Sequence, residues 1–239
     1  MNYNERKIKN MFTKNKAFLL TLLIFSLFLT ACTASKPIAN AKNNNQNNLT
    51  NNKKSMINID KNSMSNQDIL KKYSKAEFKT TMGNFTVEFF NKEMPITVSN
   101  FLNLADSGYF DGVKFHRVME NFMIQSGDPL SKDDSKALYW GTGGPGYAIA
   151  DEFVKGLSNV YGTIAMANSG PNSGGSQFFV NVKDNTFLDF DKEPFTSQHP
   201  VFGKVIDGMD VVEKISRVDV VPNVNRPTEP VVIEKINLK

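Results

Sequence analysis

The chain has 239 residues, 40% hydrophobic and 22% charged, an ordinary globular balance that excludes collagen-like, disulfide-scaffold and wholly disordered chains. One cysteine and two histidines exclude an internal disulfide and a zinc site built from Cys and His, and no metal or cofactor is expected. The net charge of +4 is unevenly spread: residues 73–239 hold 16 basic and 21 acidic residues, so this part lacks the basic face that duplex binding needs, and no nucleic-acid partner is expected.

Residues 1–16 are polar and basic, and residues 17–30 form an apolar run of 14. That run is short for a membrane-spanning helix, which needs about 20 apolar residues. A basic start, a short apolar stretch and small residues at its end make a secretory signal. The end reads Leu29-Thr30-Ala31-Cys32 and resembles the lipobox of bacterial lipoproteins. The resemblance implies cleavage before Cys32 and acylation of that residue, the only cysteine present. A signal cut nearby, or an uncleaved anchor, is the alternative. Acyl chains anchor a protein because each buried CH₂ contributes about 0.8 kcal/mol. The expected location is therefore extracytoplasmic, on a bacterial membrane. Thr33, where an Asp would favour the inner membrane, points to the outer membrane in a Gram-negative host. Residues 33–72 are rich in Asn, Lys, Ser and Gln and cannot repay the entropy of ordering, so a disordered tether is expected up to residue 72.

From residue 73 one domain is expected. EFKTTMGNFTVEFF (77–90) carries a Gly-Asn turn signal between two β-like runs and predicts a hairpin. In MPITVSNFLNLADSGYF (94–110), Val98, Phe101, Leu102 and Ala105 fall at helical spacing behind Pro95. VKFHRVM, NFMIQSG, YGTIAMAN, GSQFFVNV and HPVFGKVI are short strand-like runs, GMDVVEKISRV (208–218) predicts a second helix, and PVVIEKINLK a closing strand. Many short strands with two helices argue for a closed or nearly closed antiparallel barrel.

GTGGPG (141–146) matches the dinucleotide pattern letter for letter, but Pro145 lies inside it, no helix opens on it, and the preceding KDDSKALYW is a poor buried strand. It is expected to be a surface loop, with Trp140 packed beside it. No G-x-S-x-G, H-E-x-x-H or Walker loop occurs.

FHRVMENFMIQSGD (115–128) resembles the signature of the cyclophilin family of peptidyl-prolyl cis-trans isomerases, and the resemblance continues through GTGGPGY, YGTIAMANSGPNSGGSQFFV (161–180), NTFLD and HPVFGKV. It implies a mostly β fold, a closed eight-stranded antiparallel barrel capped by two α-helices. It also implies a site. Arg117 matches the catalytic arginine, while Phe122, Met123, Gln125, Ala167, Asn168, Gln177, Phe179, Phe187, Leu188 and His199 match substrate-binding positions. Phe187 stands where many members have Trp, so weak cyclosporin binding at most is implied, and Ser126 stands where the family usually has Gly. The stretch 189–198 is longer than in compact members. On the residues alone, Phe122, Met123, Phe179 and Leu188 fit a packed core as well as a pocket wall. Arg117 alone fits a surface ion pair, and His199 fits either role. His116 is read as structural, since its neighbour Arg117 points to the opposite face of a strand. The implied function is isomerisation of X–Pro bonds by a monomer acting on proline-containing polypeptides, here unfolded or exported proteins. The alternatives are a proline-peptide holdase or adhesin, and a structural surface lipoprotein.

Overall fold

The computed structural model describes residues 66–193 and 197–239. The expected signal segment, Cys32 and most of the expected tether lie outside the described residues. β1 (Lys75–Thr80) and β2 (Gly83–Phe89) form the predicted hairpin, with Thr80 opposite Gly83. The turn is therefore Thr81-Met82, two residues before the Gly-Asn pair that signals it. Gly83 opens β2 at φ 128°, a backbone angle that side chains disfavour.

The helix α2 (Pro95–Asp106) follows, begun by proline at its first position and buried along Val98, Phe101, Leu102 and Ala105. Next come β3 (Arg117–Met119), β4 (Met123–Ser126), β5 (Thr163–Met166), β6 (Phe178–Asn181) and β7 (Val201–Asp207). The second predicted helix is α3 (Met209–Ser216). β8 (Val220–Val221) and β9 (Arg226–Pro227) make a small separate ribbon that the sequence pattern did not signal, and β10 (Ile233–Leu238) closes the chain.

Eight strands form one antiparallel sheet in the order β10-β1-β2-β7-β5-β6-β4-β3. This corrects the expectation of a closed barrel: the sheet is an open, strongly curled half-barrel with β10 and β3 at its edges. The reason is local. β3 is only three residues long, and its Val118 N–H is spent on the Asn225 carbonyl at 2.7 Å. The chain ahead of β3 meets the β10 end through one isolated bridge, Lys114 with Val232, and single bonds such as Phe115 N–H to Val231 O at 2.9 Å.

The curled sheet wraps a phenylalanine-rich core. α2 drives Phe101 into its centre, where its ring lies 5.0–5.9 Å from those of Phe78, Phe89, Phe110, Phe178 and Phe202. Stacked, tilted and edge-on pairs of this kind add to the gain from burial.

The folded unit also begins earlier than expected. Residues 66–72, assigned to the tether on composition, form a helix (α1). Ile69 is 8% exposed and joins the main core, and the Asn91 side-chain amide donates to the Leu70 and Tyr73 carbonyls at 2.7 Å each. About two turns with a single buried apolar residue leave no signal in an Asn/Lys-rich composition.

Candidate active site

Strand alternation divides the side chains of the sheet between two faces. Val118, Ile124, Ile164, Phe178, Val180 and Phe202 point into the main core. Their neighbours Met123, Ala165, Phe179 and Val201 form a second, smaller cluster with Leu188, against which Phe122, Met119 and Ala167 pack. Pairing puts these residues in a row. Arg117 on β3 lies opposite Gln125 on β4, Gln125 opposite Phe179 on β6, Phe179 opposite Ala165 on β5, and Ala165 opposite Val201 on β7. A charged donor, an amide and an apolar floor thus occupy one cross-strand line, each fixed by backbone register.

Arg117 is exposed on this face. Its Nη1 donates to Gln125 Oε1 at 3.4 Å, and its guanidinium sits 5.9 Å from the centre of the Phe122 ring. Burial of its stem lowers its pKa, yet a guanidinium stays charged under any working condition. Gln125 Nε2 donates to Gln177 Oε1 at 3.0 Å, and Gln177 Nε2 donates to the Gly141 and Gly143 carbonyls at 3.0 and 2.8 Å. The amide N–H groups of Gly141 and Gly143 in turn donate to the buried Asp128 carboxylate. Donors and acceptors therefore run in one direction from the guanidinium to a buried carboxylate, an arrangement in which each bond polarises the next.

The remaining predicted residues close around the same line. The Ala167 N–H donates to the Gln177 carbonyl at 3.0 Å, and the Asn168 side-chain amide donates to the Gln198 carbonyl at 2.7 Å. Both line a cleft of 380 Å³ with Gln125 and Gln177, walled by the 141–145 loop. Phe187 is 53% exposed and stacks on Phe122 at 6.0 Å. His199 meets Phe179 edge-on at 5.3 Å. Its Nδ1 donates to the Met166 carbonyl at 3.0 Å, since a carbonyl only accepts, which leaves Nε2 to accept from the Ser197 hydroxyl at 3.0 Å. Burial lowers the His199 pKa against the opposing pull of that carbonyl. All eleven predicted site residues thus belong to one connected surface. Among the described residues, no cluster of His, Cys, Asp and Glu could hold a metal ion.

A scan of family descriptions matches residues 75–238 to "Cyclophilin type peptidyl-prolyl cis-trans isomerase/CLD". The chain belongs to the cyclophilin-type isomerases. A peptidyl-prolyl cis-trans isomerase of Acinetobacter baylyi is 41% identical over 168 residues, covering 69% of this chain and 85% of the relative. A peptidyl-prolyl cis-trans isomerase-like 1 of Aspergillus fumigatus is 40% identical over 142 residues, covering 59% and 81%. A crystal structure of a Cryptosporidium parvum cyclophilin-type isomerase superposes with a TM-score of 0.61 at 28% identity, covering 70% of this chain and 98% of that one. A structure of that protein in the presence of the dipeptide Ala-Pro gives 0.60 at 27% identity, covering 69% and 98%.

Several residues beyond these eleven also shape the site, and most of them lie inside the motifs that carry the family resemblance. Asp128 is fully buried and accepts from Leu130 N–H at 2.7 Å as well as from the glycine loop, and a Cβ at Gly143 would collide with its carboxylate. GTGGPG is thus a wall of the cleft, tied down by an acid 13 residues upstream of its first glycine. Asp189 accepts from the Asn159 N–H at 2.7 Å, the Asn159 side chain at 3.0 Å and the Ser158 hydroxyl at 2.5 Å. Asn159 also donates to the His199 carbonyl at 3.2 Å, and Asn185 holds the Phe122 carbonyl at 2.8 Å. This buried polar network pins Leu188, His199 and Phe122 from behind. Ser126 is buried, and its hydroxyl donates to the Lys114 carbonyl at 3.0 Å.

His116 is 6% exposed, and among the described residues no partner meets either of its ring nitrogens in hydrogen-bond geometry. Burial pushes its pKa from 6.5 down to about 4; Arg117 pushes it further down, while Asp128, the Lys114 backbone and the Gln177 side chain pull it back up. Above about pH 6.5 the ring is neutral in both folded and unfolded chains and its contribution to stability is complete. As the pH falls from 6.5 towards 4, only the unfolded chain takes up the proton, and up to about 3 kcal/mol of stability is lost. Urea midpoints measured from pH 8 to 4 should therefore fall less steeply in His116→Gln than in the parent. Parallel curves would contradict this.

Proposed function

We propose that this isomerase assists the folding of exported proteins at a bacterial cell envelope, held there by acyl chains on Cys32. The single observation that supports the enzymatic part is the cross-strand row of Arg117, Gln125 and Phe179 beside the apolar cluster of Met123 and Leu188. An X–Pro bond turns slowly because resonance makes C–N partly double, with a barrier of about 18–20 kcal/mol. No proton transfer or covalent intermediate is needed. The enzyme must bind the twisted bond better than either planar state.

The residues can do this with fixed dipoles and shape. The apolar floor of Met123, Phe179 and Leu188 receives the proline ring. In the twisted state the prolyl nitrogen becomes pyramidal and gains a lone pair, to which the Arg117 guanidinium donates. Gln125, itself held by Gln177, keeps that guanidinium aimed. The Asn168 backbone and the amides in the 380 Å³ cleft hold the peptide on the other side of the bond, so one half rotates against the other. An acceleration of about 10⁵ needs about 7 kcal/mol of differential binding. The Ala-Pro dipeptide named with the related parasite structure supports proline-containing peptides as the substrate class here.

The envelope part of the proposal is supported by the LTAC sequence after the 14-residue apolar run, with no other cysteine in the chain. Among the described residues no helix is long and apolar enough to cross a membrane. Intact-mass analysis of native protein should find a chain starting at Cys32 with added acyl mass. An unmodified Met1 start, or unchanged processing of Cys32→Ser, would remove this part. The same preparation should catalyse Ala-Pro isomerisation in a protease-coupled or NMR-exchange assay, and its failure to do so would remove the enzymatic part.

A further inference from the structure

Arg117 faces two ways. Besides the apolar pocket it lines a second cavity, of 230 Å³, that contains none of Phe122, Met123, Phe179 or Leu188. Its other walls include His116, Trp140, Val224 and Arg226. This cavity carries two guanidinium groups and no carboxylate, although across residues 73–239 the 16 basic residues are outnumbered by 21 acids. Among the described residues neither guanidinium is in a salt bridge: those present pair Lys75, Lys114, Lys136, Lys192, Lys204, Arg217 and Lys239. Among the same residues the Arg226 side chain donates to the Ala137 carbonyl alone, at 3.3 Å, and it stacks over Trp140 at 5.3 Å. The other polar side chains of the wall are Gln125, which accepts from Arg117, and His116, more than nine-tenths buried and with neither ring nitrogen in hydrogen-bond geometry among the described residues.

A neutral imidazole always carries one N–H donor, and a buried donor with no acceptor is costly. The Arg226 guanidinium, which no acid among the described residues pairs, and the unsatisfied N–H of His116 border a common space and call for an acceptor of negative charge, with the charge of Arg117 adding to the positive field. Planar guanidinium groups suit a carboxylate in particular, which they can hold through paired N–H bonds. The volume is below the roughly 300–1,000 Å³ of sites that enclose a whole small ligand, and suits a single side chain. Trp140 and the 54%-exposed Val224 supply an apolar flank for the stem of such a side chain.

We propose that this cavity is a specificity subsite that takes the Asp or Glu carboxylate of a client segment whose proline lies in the adjacent apolar pocket. The inference rests on the isomerase reading of that pocket and names the client chemistry: acidic residues close to the proline. Arg226 is its main determinant, because Arg117 is already committed to the reacting bond.

The test uses mature full-length protein and Ala-Pro peptides with Glu or Gln placed in turn at each of the two positions before and the two after the Ala-Pro pair. At one or more positions Glu should raise kcat/KM about tenfold over Gln, chiefly through KM. Arg226→Gln should abolish that preference while leaving the rate on the Gln peptides unchanged. Lys75→Gln, which removes the same charge from β1, should keep it. Equal rates for Glu and Gln at every position overturn the subsite while leaving the isomerase standing. So does a preference that survives Arg226→Gln or is lost equally in Lys75→Gln. No turnover of any peptide by the parent protein overturns both readings.

Discussion

Arg117→Ala is expected to lower kcat/KM on an Ala-Pro peptide by about 100- to 1,000-fold, the usual cost of deleting one donor aimed at charge that develops in the transition state. The loss should appear in kcat as well as in kcat/KM, because the lone pair exists mainly in the twisted state. The fold should survive. Arg117 is exposed, and among the described residues the only side chain it bonds is Gln125, which keeps its own bond to Gln177. Arg117→Lys should rescue little, since an ammonium lacks the planar fork that sets donor direction. Circular dichroism and a urea midpoint on the same preparations separate chemistry from unfolding. Near-parental turnover in a folded Arg117→Ala protein would rule out lone-pair donation as the source of the rate.

Phe101→Ala is expected to destabilise the domain by about 4 kcal/mol. Phe101 is 1% exposed, and its ring meets five other phenylalanines that come from β1, β2, β6, β7 and the turn after α2. An open half-barrel leaves its concave side unfilled unless something plugs it, and α2 is the plug. The cavity left by the missing ring is walled by strands that register holds in place, so it can collapse only in part. Phe101→Leu should recover most of the loss, because it restores volume without restoring the ring geometry. A urea midpoint within 1 kcal/mol of the parent for Phe101→Ala would mean that α2 is not the keystone of the core.

Local chemistry made much of this architecture legible in the sequence. Pro95 and the Val98, Phe101, Leu102, Ala105 spacing mark α2 because helical periodicity depends only on near neighbours. The hairpin of β1 and β2 was legible for the same reason, although the turn sits two residues ahead of its Gly-Asn signal. The FHRVMENFMIQSGD stretch and the motifs after it led to the family and, residue by residue, to the eleven positions that the structure joins into one surface. Whether Met123, Phe179 and Leu188 belong to the core or to a pocket could not be decided that way. β5 and β6 are buried on both faces, so their apolar runs lose the alternation that separates inside from outside. Only the pairing of β3, β4, β6, β5 and β7 assigns Phe179 to the Arg117 face and Phe178 to the main core.

The same limit explains the other differences. Gln177 is oriented by carbonyls 34 and 36 residues away, and Asp128 secures that loop from 13 and 15 residues away. The open edge of the sheet follows from where Val118 spends its N–H, and the subsite beside Arg117 follows from Arg226 folding back across the β8–β9 ribbon. Sequence by itself determined the family, the two longer helices and most strands of the main sheet, because propensity, capping and motif spacing are short-range. Tertiary structure alone decided which donors face which acceptors and which charges remain unpaired, because those depend on contacts between residues far apart in the chain.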